Sequence, residues 1–220
     1  MAFSRSSKAR LTSHDLDRFP SGSLFDRIAR AVCGAGCLPR KELYEAWEVA
    51  RRARRLFRGG RVVDLGAGHG LLAQIMLILD DTSSAAIAVD TTLPPSSPRL
   101  HEALVERWPR LAGRIAFVSA PLESMPLMSG DVVVSSHACG PLTDVVIDRA
   151  VAAGARVAVL PCCHDARTCG TGDLDGWVDE ALAIDMMRAM RMKARGYRIW
   201  TQAIPSEITP KNRLLLGAPD

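Results

Sequence analysis

Two rhythms of apolar residues divide the chain. Leu24, Ile28, Ala31 and Val32 recur at helical spacing and predict a helix that stops at Gly34 and Gly36. A longer helix is predicted from Pro39 to Phe57, with Leu43, Ala46, Trp47, Ala50, Ala53, Leu56 and Phe57 on one face and Arg51, Arg52, Arg54, Arg55 and Arg58 on the other. From Arg61 onward the rhythm changes to short continuous apolar runs, as expected of strands covered on both faces. These are Arg61 to Leu65, Ala85 to Val89, Arg114 to Val118, Asp131 to Ser135 and Arg156 to Leu160. Helical segments follow them: Gly70 to Leu79, Leu100 to Trp108, Leu142 to Ala153, and the Met-rich Leu174 to Ala194, whose methionines read as core filler. Tyr197 to Ile204 and Arg213 to Leu216 are two further strands with no helix between them, so one of them runs antiparallel. The pattern predicts an α/β fold, a Rossmann-like seven-stranded mostly parallel sheet with a final antiparallel strand, plus N-terminal helices. Residues 1–58 would form an arm with basic helices and residues 59–220 a ligand-binding domain.

The stretch RVVDLGAGHGLLA, Arg61 to Ala73, names the ligand. It reads as a buried strand, a glycine-rich turn from Gly66 to Gly70 and a helix beginning near Leu71. Glycines at alternate positions, Gly66, Gly68 and Gly70, let backbone approach a ligand where a Cβ would collide. Dinucleotide sites use G-x-G-x-x-G instead, and Asp64, just before the turn, would repel a pyrophosphate. A carboxylate there suits a ligand bearing an ammonium group, such as S-adenosyl-L-methionine. The second strand ends in Asp90, placed to accept both hydroxyls of a ribose. Thr91, beside it, and Leu122, in the segment after strand three, complete the expected nucleoside site with Ala67 of the turn and Ser135 at the tip of strand four. D-L-G-x-G-x-G resembles the first motif of class I S-adenosylmethionine-dependent methyltransferases.

Composition and charge add bounds. With 220 residues, 48% hydrophobic and 24% charged, the chain is an ordinary globular protein. No apolar run approaches the ~20 residues of a membrane helix, and the polar start MAFSRSSKAR lacks the apolar core of a secretory signal, so a cytoplasmic location is expected. Residues 1–60 hold thirteen basic against six acidic side chains, whereas the rest carries fifteen against eighteen. An anionic partner would therefore meet the N-terminal part, and the arginines of the basic helix read either as a solvated face or as a phosphate-contacting ridge for tRNA or another RNA. The oligomeric state has no signature.

The remaining chemistry gathers at two strand tips. Ser136-His137-Ala138-Cys139-Gly140-Pro141 follows strand four and Pro161-Cys162-Cys163-His164-Asp165 follows strand five. In an open α/β sheet these loops border the ligand crevice. SHACGPLTD, VLPCCHD and ITPKNRLLL resemble the methyltransferase group bearing a Pro-Cys-Cys-His motif, to which the tRNA acceptor-stem ribose methyltransferase is related. The likeness runs from about Leu43 to Leu216. It implies cofactor binding by Asp64, Gly66, Gly68 and Asp90, and an acceptor pocket at His137, Cys139, Cys162, Cys163 and His164. Asp165 stands where relatives carry another histidine, and the zinc-finger segments of the eukaryotic tRNA enzyme are missing.

Methyl transfer to a hydroxyl or nitrogen needs alignment and removal of a proton, and His164 or His137 is suited to serve as base. A cysteine nucleophile on a cytosine is a second reading of Cys162 or Cys163 with Cys139, but the text of the motif does not match. A metal held by Cys139, Cys162, Cys163, His164 and Cys169 is chemically feasible, yet adjacent cysteines lack the C-x-x-C spacing of a zinc knuckle, so no metal is assigned. Lys211, Asn212 and Arg213 either grip an anionic substrate group or end a hairpin. The acceptor is expected to be a hydroxyl or nitrogen on RNA; a small metabolite, a protein side chain or a non-catalytic binding module are the alternatives.

Overall fold

The computed structural model describes residues 3–220; Met1 and Ala2, the start of the polar arm, lie outside the described residues. Seven strands form one sheet in the order β3-β2-β1-β4-β5-β7-β6, with β1 at Val62–Leu65, β2 at Ala86–Asp90, β3 at Ile115–Ser119, β4 at Val132–Ser135, β5 at Arg156–Val159, β6 at Tyr197–Ala203 and β7 at Arg213–Pro219. The first five are parallel, and β7 lies antiparallel to both β5 and β6. Sheet growth reverses between β1 and β4, so the crevice of the fold opens at their tips. Among the described residues there are six α-helices: α1 (Leu24–Ala35), α2 (Arg40–Leu56), α3 (Leu71–Leu79), α4 (Ser97–Arg107), α5 (Pro141–Ala152) and α6 (Glu180–Ala194). The arm folds into a 3₁₀ turn at Ser13–Arg18.

The helices of the N-terminal part share their core with the sheet. Ile28, Val32, Leu43, Val49, Ala53 and Phe57 belong to the same buried cluster as Val62, Ile75, Met76, Val132 and Leu216. Helix α3 is apolar nearly all round because it is enclosed; each residue from Leu71 to Ile78 is buried, including Gln74, whose Oε1 meets His101 Nδ1 at 2.9 Å. On the opposite face α5 and α6 cover Val63, Val133, Val157 and Tyr197, with the tyrosine hydroxyl donating to the Ala155 carbonyl at 2.9 Å.

Three expectations need correction. The arginines of α2 do not form one solvated ridge: Arg54, one turn beyond Ala50, falls on the apolar stripe and is 2% exposed. Its guanidinium donates to the Met76 and Phe57 carbonyls and to Ser83 Oγ and pairs with Asp80 at 3.1 Å, fastening α2 to the end of α3. Burial pushes its pKa down to about 10. Arg51 and Arg52 pair with Glu48, leaving Arg55 and Arg58 exposed, while Leu56 turns outward. Helix α6 begins at Glu180 rather than Leu174, because Asp179 caps it by accepting from the Leu182 amide, and the preceding loop turns through Gly172 and Asp173 at positive φ. Its methionines are not all filler: Met192 is buried, but Met186 and Met190 are exposed.

Candidate active site at the strand tips

The glycine turn is locked to β2 by backbone and by one carboxylate. The Gly66 and Ala67 amides both donate to the Val89 carbonyl, at 2.9 and 3.0 Å, and the Gly68 amide donates to Asp90 Oδ2 at 2.8 Å. All three glycines sit at positive φ, where a side chain is strained. Their surroundings differ. A Cβ on Gly70 would lie 2.8 Å from the Phe117 ring, so this glycine serves packing of α3 on the sheet; a Cβ on Gly66 would abut the Ala138 amide at 3.4 Å; Gly68 faces open space. Gly68 is thus unobstructed.

A cavity of about 100 Å³ opens beside the turn, lined by Gly66, Asp90, Thr91, Leu122, His137, Ala138 and Leu142. Four of the residues expected at the nucleoside, Gly66, Asp90, Thr91 and Leu122, meet here although the chain separates them widely. The volume is below the ~300–1,000 Å³ typical of ligand pockets.

Asp64 and Ser135 are placed differently. Asp64 does not line the cavity: it is 1% exposed, its Oδ2 accepts from the Ala73 amide at 3.2 Å, and its Oδ1 is buried without a partner. Burial pushes its pKa up to about 7, against the lowering effect of the Ala73 amide. Ser135 Oγ donates to the Leu65 carbonyl at 2.6 Å and accepts from the Ala138 amide, tying the tip of β4 to β1. Ala67 is buried on the other side of the turn.

His137 forms the wall between this cavity and a crevice of about 10 Å³, room for at most a single water, lined also by Glu42, Ala67, His69 and Ser136. Burial, then Lys41, pulls its pKa below the ordinary histidine value, and burial with Arg10 and Arg99 does the same to His69, whose Nε2 lies 2.9 Å from Ser96 Oγ. Glu42, half-buried, is pushed up to about 7 by desolvation and then by the neighbouring Glu45. His69 and Glu42 escaped the sequence reading; the histidine inside the glycine turn was the available signal, whereas nothing in a helical pattern marks Glu42.

The tips of β4 and β5 bring three thiols together. Cys139 Sγ lies 2.9 Å from Cys162 Sγ, Cys162 Sγ lies 3.8 Å from Cys163 Sγ, and all three sulfurs fall within 4.8 Å of one another. Burial and the neighbouring thiols raise the pKa of Cys162 strongly, and burial raises that of Cys139. Cys169 is elsewhere, buried 3.6 Å from an Arg188 nitrogen.

His164 is held by a partner the sequence did not reveal. Its side chain is 3% exposed, and Nε2 meets Asp185 Oδ1 of α6 at 2.8 Å, leaving Nδ1 buried and unpartnered. Asp185 also binds Arg188 and Arg213, and Arg188 continues to Asp144, which Arg191 pairs as well. Asp185 thereby stays below the usual carboxylate range, through hydrogen bonds from His164 and Arg213 that outweigh burial. Arg213 donates to Asp185 Oδ2 at 2.7 Å and so ties β7 to α6, whereas Asn212 Nδ2 donates to the Ile204 carbonyl at 2.9 Å within the hairpin; Lys211 is exposed. A larger cavity, about 440 Å³, lies between α6 and the β6–β7 pair, with Pro161, Asp185, Met186, Arg213 and Leu215 in its wall.

A seven-stranded sheet of this order, with a glycine turn after its central strand and an acid at the next strand's tip, defines the class I methyltransferase fold. A family model described as a methyltransferase domain matches residues 45–168, more than half of the chain, and the chain belongs to that family, whose cofactor is S-adenosylmethionine. Among solved structures, an O-methyltransferase family protein from Burkholderia thailandensis superposes with a TM-score of 0.53 at 16% identity, over 96% of this chain and 63% of that one. The tRNA methyltransferase TrmK of B. subtilis gives 0.51 at 15%, over 79% and 66%. A ribosomal protein L11 methylase from Lactobacillus delbrueckii subsp. bulgaricus gives 0.51 at 16%, over 80% and 77%. The chain thus spans about 63% of the first of these, and identities this low establish the fold alone. No curated protein sequence matches the chain. No helix among the described residues is long and apolar enough to cross a membrane.

The residues present fit the cofactor. Asp90 and Thr91 offer oxygens to a ribose, Leu122 an apolar wall to a base, and open Gly68 an unobstructed backbone. Asp64 Oδ1, buried beneath the turn without a partner, is an orphaned polar atom that the protein itself does not satisfy.

Proposed function

We propose that this chain methylates RNA, with tRNA the foremost candidate, at a hydroxyl or a nitrogen. S-adenosylmethionine, when bound, supplies a methyl group already activated by its sulfonium. The protein's own work is then alignment and proton removal. The observation that carries the reading is the place of His137, in the wall of the cavity that Asp90 and the glycine turn define. With its pKa below the ordinary value, its ring is neutral at pH 7 and free to accept a proton. His164, with Nε2 engaged by Asp185, orients the Pro-Cys-Cys-His loop.

An RNA acceptor is supported by the resemblance of SHACGPLTD and PCCH to a group that includes a tRNA ribose methyltransferase, and by charge. With part of the α2 ridge buried or paired, the cations that matter sit elsewhere: Arg10 and Arg99 are exposed and act electrostatically on His69 beside the crevice. One observation favours a small acceptor instead, the 440 Å³ cavity with its largely apolar wall next to Pro161. Labelled cofactor offered to total tRNA and to small-molecule extracts separates the two. Transfer to tRNA that weakens steeply with salt is the expected outcome. Label appearing only in the small-molecule fraction, independent of salt, would overturn the RNA assignment.

A further inference from the structure

The sulfurs of Cys139, Cys162 and Cys163 converge although the chain places the first 23 residues before the second. Thiolates at such close quarters select soft cations such as zinc. In a tetrahedral zinc site with Zn–S bonds of ~2.3 Å, neighbouring sulfurs stand about 3.8 Å apart. The Cys162 to Cys163 separation is 3.8 Å, and Cys139, 2.9 Å from Cys162, needs to withdraw by less than the width of an atom to match. Cys139 and Cys163 are exposed, so the group faces solvent. His164 is the next residue, but its ring nitrogens lie outside the compact group, leaving the three sulfurs as the donor set among the described residues.

We propose that Cys139, Cys162 and Cys163 bind one zinc ion, with a fourth coordination position open to water or to a heteroatom of an acceptor. The absence of C-x-x-C spacing is no obstacle, because the third ligand comes from the neighbouring strand tip, which the β4–β5 pairing brings alongside. Three protein ligands and one exchangeable position is the arrangement of reactive zinc sites, whereas structural sites are closed by four. Binding releases thiol protons, so affinity falls as pH falls. The inference does not depend on methyl transfer.

The test is elemental analysis of the full chain purified under reductant and without chelator, followed by titration of the metal-free protein with Co²⁺. One zinc per chain and a sulfur-to-cobalt charge-transfer band are expected. Both should be lost in Cys139→Ser, Cys162→Ser and Cys163→Ser, kept in Cys169→Ala, and kept in His164→Asn, with circular dichroism confirming that each variant is folded. Metal-free wild-type protein that shows no charge-transfer band would overturn the proposal, as would millimolar affinity only, or retention of the ion in all three serine variants. Loss of the ion in folded His164→Asn would overturn the open fourth position.

Discussion

The two ends of the crevice are built from different materials. At the β1–β2 tips, backbone amides do most of the work: Gly66, Ala67 and Gly68 donate to Val89 and Asp90, and hydrogen bonds fix the geometry before any ligand arrives. At the β4–β5 tips the functional atoms are imidazole and sulfur, positioned from a distance by Asp185 on α6 and by the packing of α5. The first end is a rigid cradle for a ligand of fixed chemistry. The second is assembled by tertiary contacts, and it is where an acceptor must be distinguished.

Substitutions at the two ends should therefore separate turnover from binding. The largest effect is expected for His137→Ala: a general base contributes roughly 10²- to 10⁴-fold, so single-turnover methyl transfer should fall by that amount with cofactor affinity little changed. In the wild type, the rate should rise with pH through an inflection below the ~6.5 of an ordinary histidine and then level off. Normal turnover in the variant would remove His137 from the chemistry. Next, Asp90→Ala should weaken S-adenosylmethionine about tenfold or more in calorimetry, since hydrogen bonds to a charged group are worth ~1.5–3 kcal/mol. Unchanged affinity would refute the ribose assignment.

Within the cradle, the glycines sharpen the contrast further. Gly70→Ala combines positive φ with a collision on Phe117 and should cost on the order of 2 kcal/mol, lowering the melting temperature by about 4–8 °C. Gly68→Ala pays only the backbone strain, on the order of 1 kcal/mol, so its fold should survive while cofactor binding suffers. Equal melting points for the two variants would contradict the packing role of Gly70.

A last contrast concerns pH. Asp64 and Glu42 both have pKa values near 7 in the folded protein, against about 3.9 and about 4.3 when unfolded. The folded state binds more protons between those values, so this contribution is fully present below pH ~4 and is lost as pH rises towards 7. Buried His137 and His69 act in the opposite sense, so the contribution is read as a difference: in denaturant titrations across that window Asp64→Asn should lose part of the downward slope that wild type carries. A slope identical to wild type would mean that Asp64 ionises normally.

The sequence alone determined the sheet, because short apolar runs and helical periodicity report burial directly, and it determined the glycine cradle, because those groups lie within nine residues of chain or one strand away. It also brought His137, His164 and the cysteines to the correct loops. What it could not supply was contact between distant residues. Arg54 read as part of a solvated or phosphate-contacting face until the end of α3 offered the Met76 carbonyl and Asp80 to receive it. His164 read as a free base until α6, starting six residues later than its periodicity suggested, presented Asp185 to it. Asp64 read as a hand extended to the ligand, yet lies sealed beneath the turn. Periodicity records which side of an element is buried; which polar group meets which across the crevice depends on how helices settle on the sheet, and tertiary packing alone decides that.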